Sequence, residues 1–336
     1  MKGFTLIELL AVIVILAVIL VISVPQINKV IEDSKLKSFE SDAKIVLNQL
    51  DTVSVDNTID ITTINETNIE TILGIKNDNY DEVIVNKEDD VVSVSIIGKN
   101  KWDGLAVYGT YDNITSTTLP DGLIGEWNLN VNANDSSGNN NNGTVTGAVL
   151  TTDNHGKSNS AYSFDGVNDA IVVPYTPVLA PTSQISFGIW VYRDDWSITF
   201  GEQRTVISKT ETGGYTCNFD WSGGIGYLSC LIHINGLYSF TRVLYTSFSS
   251  GWHFIMNTYD GRYIKLYVDG ELANTYDAGA NYPIQYSNNN IFVIGAEAGG
   301  STAVAGNHFP GKLDNASVYN RALTSDEVKL LYDIKK

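Results

Sequence analysis

The chain is poor in positive charge and in sulfur. Its 336 residues carry 21 lysines and arginines against 38 aspartates and glutamates, a formal net charge of −17, and only two cysteines and four histidines. Nucleic-acid affinity rests on Lys and Arg neutralising phosphates, so the shortage of cations excludes a nucleic-acid partner. His155, His233, His253 and His308 show no metal-ligand spacing, which excludes a histidine-built zinc site. What is abundant instead is side-chain oxygen from Asp, Glu and Asn, and calcium takes six to eight such ligands. The length suggests about two domains, each large enough for a core.

The longest apolar run stands at the start, from Phe4 to Val24, broken only by Thr5, Glu8 and Ser23. As a helix at about 1.5 Å per residue it covers roughly 31 Å, the thickness of a bilayer's hydrocarbon core. No small-residue cleavage site follows it; Pro25-Gln26-Ile27 does, so a secretory signal is a poor fit. Lys2 alone precedes the span, which favours an N-terminus held inside and a C-terminus outside. Glu8 inside such a segment costs about 2.5–3.5 kcal/mol at mid-bilayer, so it calls for a partner.

Lys2-Gly3-Phe4-Thr5-Leu6-Ile7-Glu8, followed by the apolar run and Pro25, resembles the N-terminus of a type IV prepilin. The resemblance implies that a prepilin peptidase cuts after Gly3 and methylates Phe4. It also implies that the Glu8 carboxylate pairs with the N-terminal amine of a neighbouring subunit inside the filament, where an unpaired charge would be expensive. The precursor would then sit in the cytoplasmic membrane as a single-pass protein, and the assembled product in an extracellular pilus.

Beyond Pro25 the residues Ile27, Val30, Ile31, Phe39, Ala43, Val46, Leu47 and Leu50 recur mostly at three- and four-residue steps, an amphipathic continuation of the helix that Pro25 should kink or loosen. Short strand patterns follow at Glu82–Val85, Val91–Ile97 and Leu105–Tyr108, a small antiparallel sheet for the helix to lie on. Thr115 to Gly122 reads as a polar hinge with Pro and Gly. After it the chain is rich in Gly, Asn, Tyr and Trp with closely spaced turns, as in an all-β sandwich, and the one helix of length expected there begins at Ser325. The expected organisation is a leader 1–3, a helix 4–54 with its membrane span at 4–24, a β domain 55–117, a linker 118–122 and a sandwich 123–336.

Gly122-Leu-Ile-Gly-Glu-Trp127, Ala161-Tyr-Ser-Phe-Asp-Gly166, Ile185-Ser-Phe-Gly-Ile-Trp-Val191, Leu266-Tyr-Val-Asp-Gly270 and Gly311-Lys-Leu-Asp-Asn315 occur in order. Together they resemble a laminin G-like domain of the concanavalin A-like lectin/glucanase superfamily. The fold class expected is therefore α+β: a long N-terminal transmembrane pilin helix with a small antiparallel sheet, then an all-β jelly-roll sandwich. Trp127, Phe164, Trp190 and Trp252 lie in strand-like runs and read as packing. Glucanase members of the superfamily use a Glu-x-Asp-x-Glu strand, since two flanking acids are what glycoside hydrolysis requires. No such triplet occurs here, and Glu202 and Glu297 stand alone, so the sandwich reads as a binding module and not an enzyme.

In similar modules calcium is held between the first loop and the last strands. The resemblance carries that role to Asp135 and Asn139, with Asp314 and Asp165; a plain turn at Asp135 and a surface acid at Asp314 are the alternatives. An exposed aromatic platform for sugar is sought at Trp196, Trp221 and Tyr286, which stand in turn-rich contexts. Between Cys217 and Cys230 the midpoint falls at Gly223-Gly224, a two-residue hairpin turn. Counting outward from Ser222 opposite Ile225 sets the two cysteines face to face at about 4.5 Å between Cα atoms, within disulfide range; two free thiols remain the alternative. The function expected is a minor or tip pilin that presents the sandwich to a glycan or glycoprotein. A type II secretion pseudopilin, a structural or protein-docking sandwich, and a cryptic glycosidase are the competing readings.

Overall fold

The computed structural model describes the backbone of residues 6–54, 59–89, 91–198, 200–210, 212–286 and 289–336, and of residues 6–9, 11, 19, 20, 22 and 23 the backbone alone. The chain divides into two compact units, Met1–Leu119 and Pro120–Lys336.

The first unit is built on α1, Leu6–Ser54, which runs uninterrupted through Pro25. Its C-terminal half turns Phe39, Ala43, Val46, Leu47 and Leu50 inward, each at most 1% exposed. They pack on a sheet of β1 (Tyr80–Glu88), β2 (Val91–Gly98), β3 (Leu105–Thr110) and β4 (Ile114–Thr118), joined antiparallel in that order. The apolar positions Val83, Val85, Val92, Val94, Ile96 and Val107 meet the helix stripe, and Phe39 stacks on Trp102 with ring centroids 5.0 Å apart. A short helix α2, Ile69–Leu73, ends at Gly74, whose φ of 70° is the left-handed cap that glycine adopts without a Cβ clash. The expected stripe is covered only in part: Ile27, Val30 and Ile31 remain more than half exposed. Among the described residues no helix is long and apolar enough to cross a membrane, and the expected span 4–24 begins in residues outside them.

The expected hinge from Thr115 needs correction, because β4 extends to Thr118. Thr-Ser-Thr-Thr is polar, yet its threonines are β-branched and suit the edge of a sheet. The Glu40 carboxylate of α1 accepts bonds from both the N–H and hydroxyl of Ser116, at 3.3 and 2.7 Å, and fastens the edge strand to the helix.

The second unit is a two-sheet sandwich. Its strands are β5 (Leu123–Trp127), β6 (Thr144–Thr146), β7 (Val149–Thr151), β8 (Ala161–Asp165), β9 (Ala170–Val173) and β10 (Ile185–Arg193). They continue with β11 (Gln203–Lys209), β12 (Tyr215–Ser222), β13 (Ile225–Ile234), β14 (Leu237–Leu244), β15 (Gly251–Tyr259) and β16 (Tyr263–Val268). The last are β17 (Glu271–Asp277), β18 (Phe292–Ile294), β19 (Glu297–Ala298), β20 (Val304–Gly306) and β21 (Pro310–Tyr319). One sheet has the order β17-β16-β15-β10-β21-β8-β7, with β5 also paired to β21; the other runs β14-β13-β12-β11-β18-β9-β6. Their pairings are antiparallel, and the core between them holds Trp127, Phe164, Phe187, Tyr215, Phe219 and Phe292. Trp127 stacks on Phe292 across it at 4.7 Å.

Helix α3, Ser325–Lys335, closes the outer face of the first sheet. It opens on a capping box between Thr324 and Glu327, and its Val328, Leu331 and Tyr332 cover Trp190, Phe254, Tyr267 and Tyr319. Arg321 holds Glu327 through Nη1 and Nη2, at 2.9 and 2.6 Å. The hairpin of β19 and β20 lies by the outer face of the second sheet, where Val293, Ala296 and Ala298 form a small cluster.

Candidate functional site

At the N-terminus, Gly3 and Phe4 lie outside the described residues, as does the side chain of Glu8, whose backbone lies in the first turns of α1. Pro25 lies inside that helix.

The hairpin count is met in the sandwich. Ser222 pairs with Ile225 and Cys217 with Cys230, Gly223 and Gly224 have φ of 62° and 88°, and the cysteines form a disulfide with Cα atoms 4.1 Å apart.

The four expected calcium ligands have internal roles. Asp135 accepts the N–H groups of Glu126 and Ser137 on Oδ1, at 3.0 and 2.9 Å, and that of Asn141 on Oδ2 at 2.8 Å, so it staples the first loop to β5. Asn139 donates from the same loop to the Ile124 carbonyl at 3.3 Å. Asp165 closes its own turn onto Val167 at 2.8 Å. Asp314 is no surface acid: it is 1% exposed on β21 opposite Trp190 and holds both the backbone and the side-chain N–H of Asn315, at 2.8 and 2.9 Å. Among the described residues no group of three or more His, Cys, Asp or Glu is placed to hold a metal ion.

Trp196 is corrected from platform to core. Its indole is 4% exposed, lies against Phe219 and Phe248 at 5.1 Å each, and donates to the Ser249 carbonyl at 2.6 Å. The residues around it are turn-like, but the side chain folds back between the sheets. Trp221 is half-buried and packs on the same core.

Tyr286, of the expected aromatics, lines an open groove of about 790 Å³. Three segments build it. The connection between β9 and β10 brings Tyr175, Pro177 and Thr182; the end of β13 and its turn into β14 bring His233 and Gly236; the stretch before β18 brings Ile284, Gln285, Tyr286 and Asn289. The walls are tied together: Gln285 N–H donates to the His233 carbonyl at 2.9 Å, Gly236 N–H to Gln285 Oε1 at 2.6 Å, and Tyr286 hydroxyl to the Pro181 carbonyl at 3.0 Å. Asn235 and Gly236, with φ of 50° and 76°, make the tight turn that lets the segments meet. Burial pushes the Tyr286 phenol well above its ordinary value, so it stays a neutral donor. His233 Nδ1 is buried without a hydrogen-bond partner, and the Gln285 and Asn289 side chains are exposed, Gln285 with its Oε1 already taken by the Gly236 N–H. Beneath the groove the ammonium of Lys209 lies 5.0 Å from the Tyr175 ring and donates to the Asn290 carbonyl at 2.6 Å.

A serine, histidine and aspartate also come into line. Ser249 Oγ is 3.4 Å from His253 Nε2, and His253 Nδ1 is 2.7 Å from Asp269 Oδ2. The order resembles a nucleophilic triad, but the protons are wrongly placed for one. His253 Nε2 lies 3.0 Å from the carbonyl of Ser249 itself and must donate to it, while Nδ1 donates to Asp269. An imidazole donating from both nitrogens is a cation with no lone pair for a serine proton. Burial pushes its pKa down, and the Asp269 and Ser249 bonds outweigh that and raise it above the ordinary value.

Two family matches fall on the chain, one on the sandwich and one on the N-terminus. Residues 164–329 match the concanavalin A-like lectin/glucanases superfamily, and residues 1–24 match the prokaryotic N-terminal methylation motif. The chain is thus a fusion of a prepilin-type N-terminus with a concanavalin A-like domain. No curated protein matches it. Among solved structures it is similar to the receptor binding domain of botulinum neurotoxin mosaic serotype C/D, with 15% identity and a TM-score of 0.49 over 63% of this chain and 51% of that one. The binding domain of Paraclostridial Mosquitocidal Protein 1 gives 20% and 0.49 over 63% and 52%. Domain 4 of the GH43 arabinanase AbnA from Geobacillus stearothermophilus, solved with arabinotriose, gives 20% and 0.43 over 64% and 98%. The chain spans about half the length of the toxin domains it matches.

Proposed function

We propose that the protein is a minor or tip subunit of a type IV pilus whose sandwich binds a glycan in the Tyr175–Tyr286 groove. The observation that carries the reading is the composition of the groove: two tyrosine rings, exposed amides at Gln285 and Asn289, and an unpartnered His233 nitrogen over a volume that takes a short oligosaccharide. Saccharides ask for aromatic faces beside amide donors and acceptors. The N-terminal motif supports a membrane-anchored precursor, cleavage by a prepilin peptidase after Gly3, and delivery to an extracellular filament among other pilin subunits. Its bulk supports a tip or low-copy position, since a second unit of this size on every subunit would crowd a packed shaft. The reading is non-catalytic, because the serine, histidine and aspartate that line up lack a base.

The test is a glycan array probed with the full chain in detergent. Binding should fall about tenfold in Tyr175→Ala, which removes an aromatic face, and by a similar factor in His233→Ala. Binding to protein surfaces but to no glycan would favour the docking reading. Glycan binding untouched by both substitutions would move the site elsewhere.

A further inference from the structure

The chain has five arginines, and four hold a carboxylate: Arg204 with Glu202, Arg242 with Asp220, Arg262 with Asp277, and Arg321 with Glu327. Arg193 is the fifth, and no ion pair within 4.0 Å is found for it among the described residues, although the protein has 38 acids. Its Nη1 is buried without a hydrogen-bond partner. The side chain forms part of the wall of a pocket of about 340 Å³, with Ser163, Tyr192 and Lys312, at the opposite end of β10 from the tyrosine groove.

The two acids at the rim are turned to other donors. Asp195 accepts the N–H and hydroxyl of Ser197 at 2.8 and 2.7 Å, and Asp194 accepts the Tyr192 hydroxyl at 2.5 Å. The Lys312 ammonium lies 4.7 Å from the Tyr192 ring. Burial is the main influence on the Arg193 guanidinium and pushes its pKa down; Arg204 pushes the same way, against Asp195 and Glu202. A half-buried cation whose Nη1 amino group has no acceptor is a cost that a ligand oxygen at the guanidinium reduces.

We infer that this pocket receives the carboxylate of an acidic saccharide, held by Arg193 and Lys312. A guanidinium fork matches a planar carboxylate, and Asp194 and Asp195 at the rim repel a doubly charged phosphate more than a singly charged acid. The volume accommodates one sugar-sized group, with the Ser163 hydroxyl beside it. This site stands apart from the groove and does not rest on it.

The experiment titrates the full chain in detergent with glucuronate, galacturonate and N-acetylneuraminate, each against its own methyl ester, by ligand-observed NMR. At least one acid should bind at least about tenfold more tightly than its ester, the loss expected when a charge-assisted bond goes. Arg193→Gln should abolish that preference, and Lys312→Gln should reduce it several-fold. Equal binding of every acid and ester, or a preference that survives both substitutions, overturns the inference. Should Arg193→Gln fail to fold, Lys312→Gln decides, since an undiminished preference there is equally fatal. Tyr175→Ala should leave the acid preference unchanged.

Discussion

Lys209 is a buried charge in the sandwich whose effect can be isolated. The side chain is 1% exposed, its ammonium has the Asn290 carbonyl and the Tyr175 ring for company, and burial pushes it down to about 8. An amine that titrates there instead of at its ordinary value in the unfolded chain destabilises the charged native state by about 3 kcal/mol at neutral pH. The sign follows from proton binding: between about pH 8 and 10 the unfolded chain holds the proton and the native chain releases it, so stability rises with pH. Lys209→Met keeps the shape and removes the titration. Urea unfolding of the full chain at a series of pH values should show the difference between wild type and variant narrowing by 2–3 kcal/mol, roughly, over that range. Parallel curves would refute the argument, because they would mean the ammonium is solvated in the native state. If the groove binds glycan as proposed, the variant should also weaken that binding, since the bond ties Lys209 to the Asn290 carbonyl, next to Asn289 in the groove wall.

Four further outcomes are expected. The Cys217–Cys230 bond closes a loop of sequence separation 13, so reductant in the urea titration should lower stability by about 3 kcal/mol on the chain-entropy view; coincident midpoints would contradict it. His253 carries a raised pKa, so its contribution is present below about pH 6.5 and is lost as pH rises through the native value; a His253→Gln variant with the same pH profile as wild type would sink this assignment. Asp135→Ala should cost about 1–3 kcal/mol through three lost bonds to backbone N–H, and wild type should melt alike in millimolar calcium and in chelator; a calcium-dependent rise would return Asp135 and Asn139 to the ligand role. Glu8→Ala should leave processing at Gly3 intact but reduce incorporation into sheared filaments, and equal incorporation would argue against the carboxylate–amine pairing.

Legibility followed the kind of constraint. The disulfide could be counted out because a two-residue turn sets the register of both strands at once, and each residue's partner follows. The helix stripe from Phe39 to Leu50 was equally plain, since periodicity states which face is buried. Trp196 was not, because turn-like neighbours locate a backbone in a loop but leave the direction of an indole open. Asp314 was misjudged for a related reason: its place on β21 beside Trp190 comes from strand order, which no local pattern encodes. The groove combines segments from near residues 175, 233 and 286, and Arg193 is conspicuous only once the partners of the other four arginines are known.

The way the chain enters the sandwich sets how the module would behave under tension. A pull on residue 120 first meets the Asp121–Arg321 ion pair and the bond from Asn320 N–H to the Gly122 carbonyl, at 2.9 Å, and then the β5–β21 ladder. Arg321 grips Glu327 at the same time, so force arriving at this corner passes into the cap of α3 as well as into the strands. First and last strands thus share one fastening, and the remaining sheets lie behind it. An Arg321→Ala sandwich would keep its fold at rest and shear open under a smaller force.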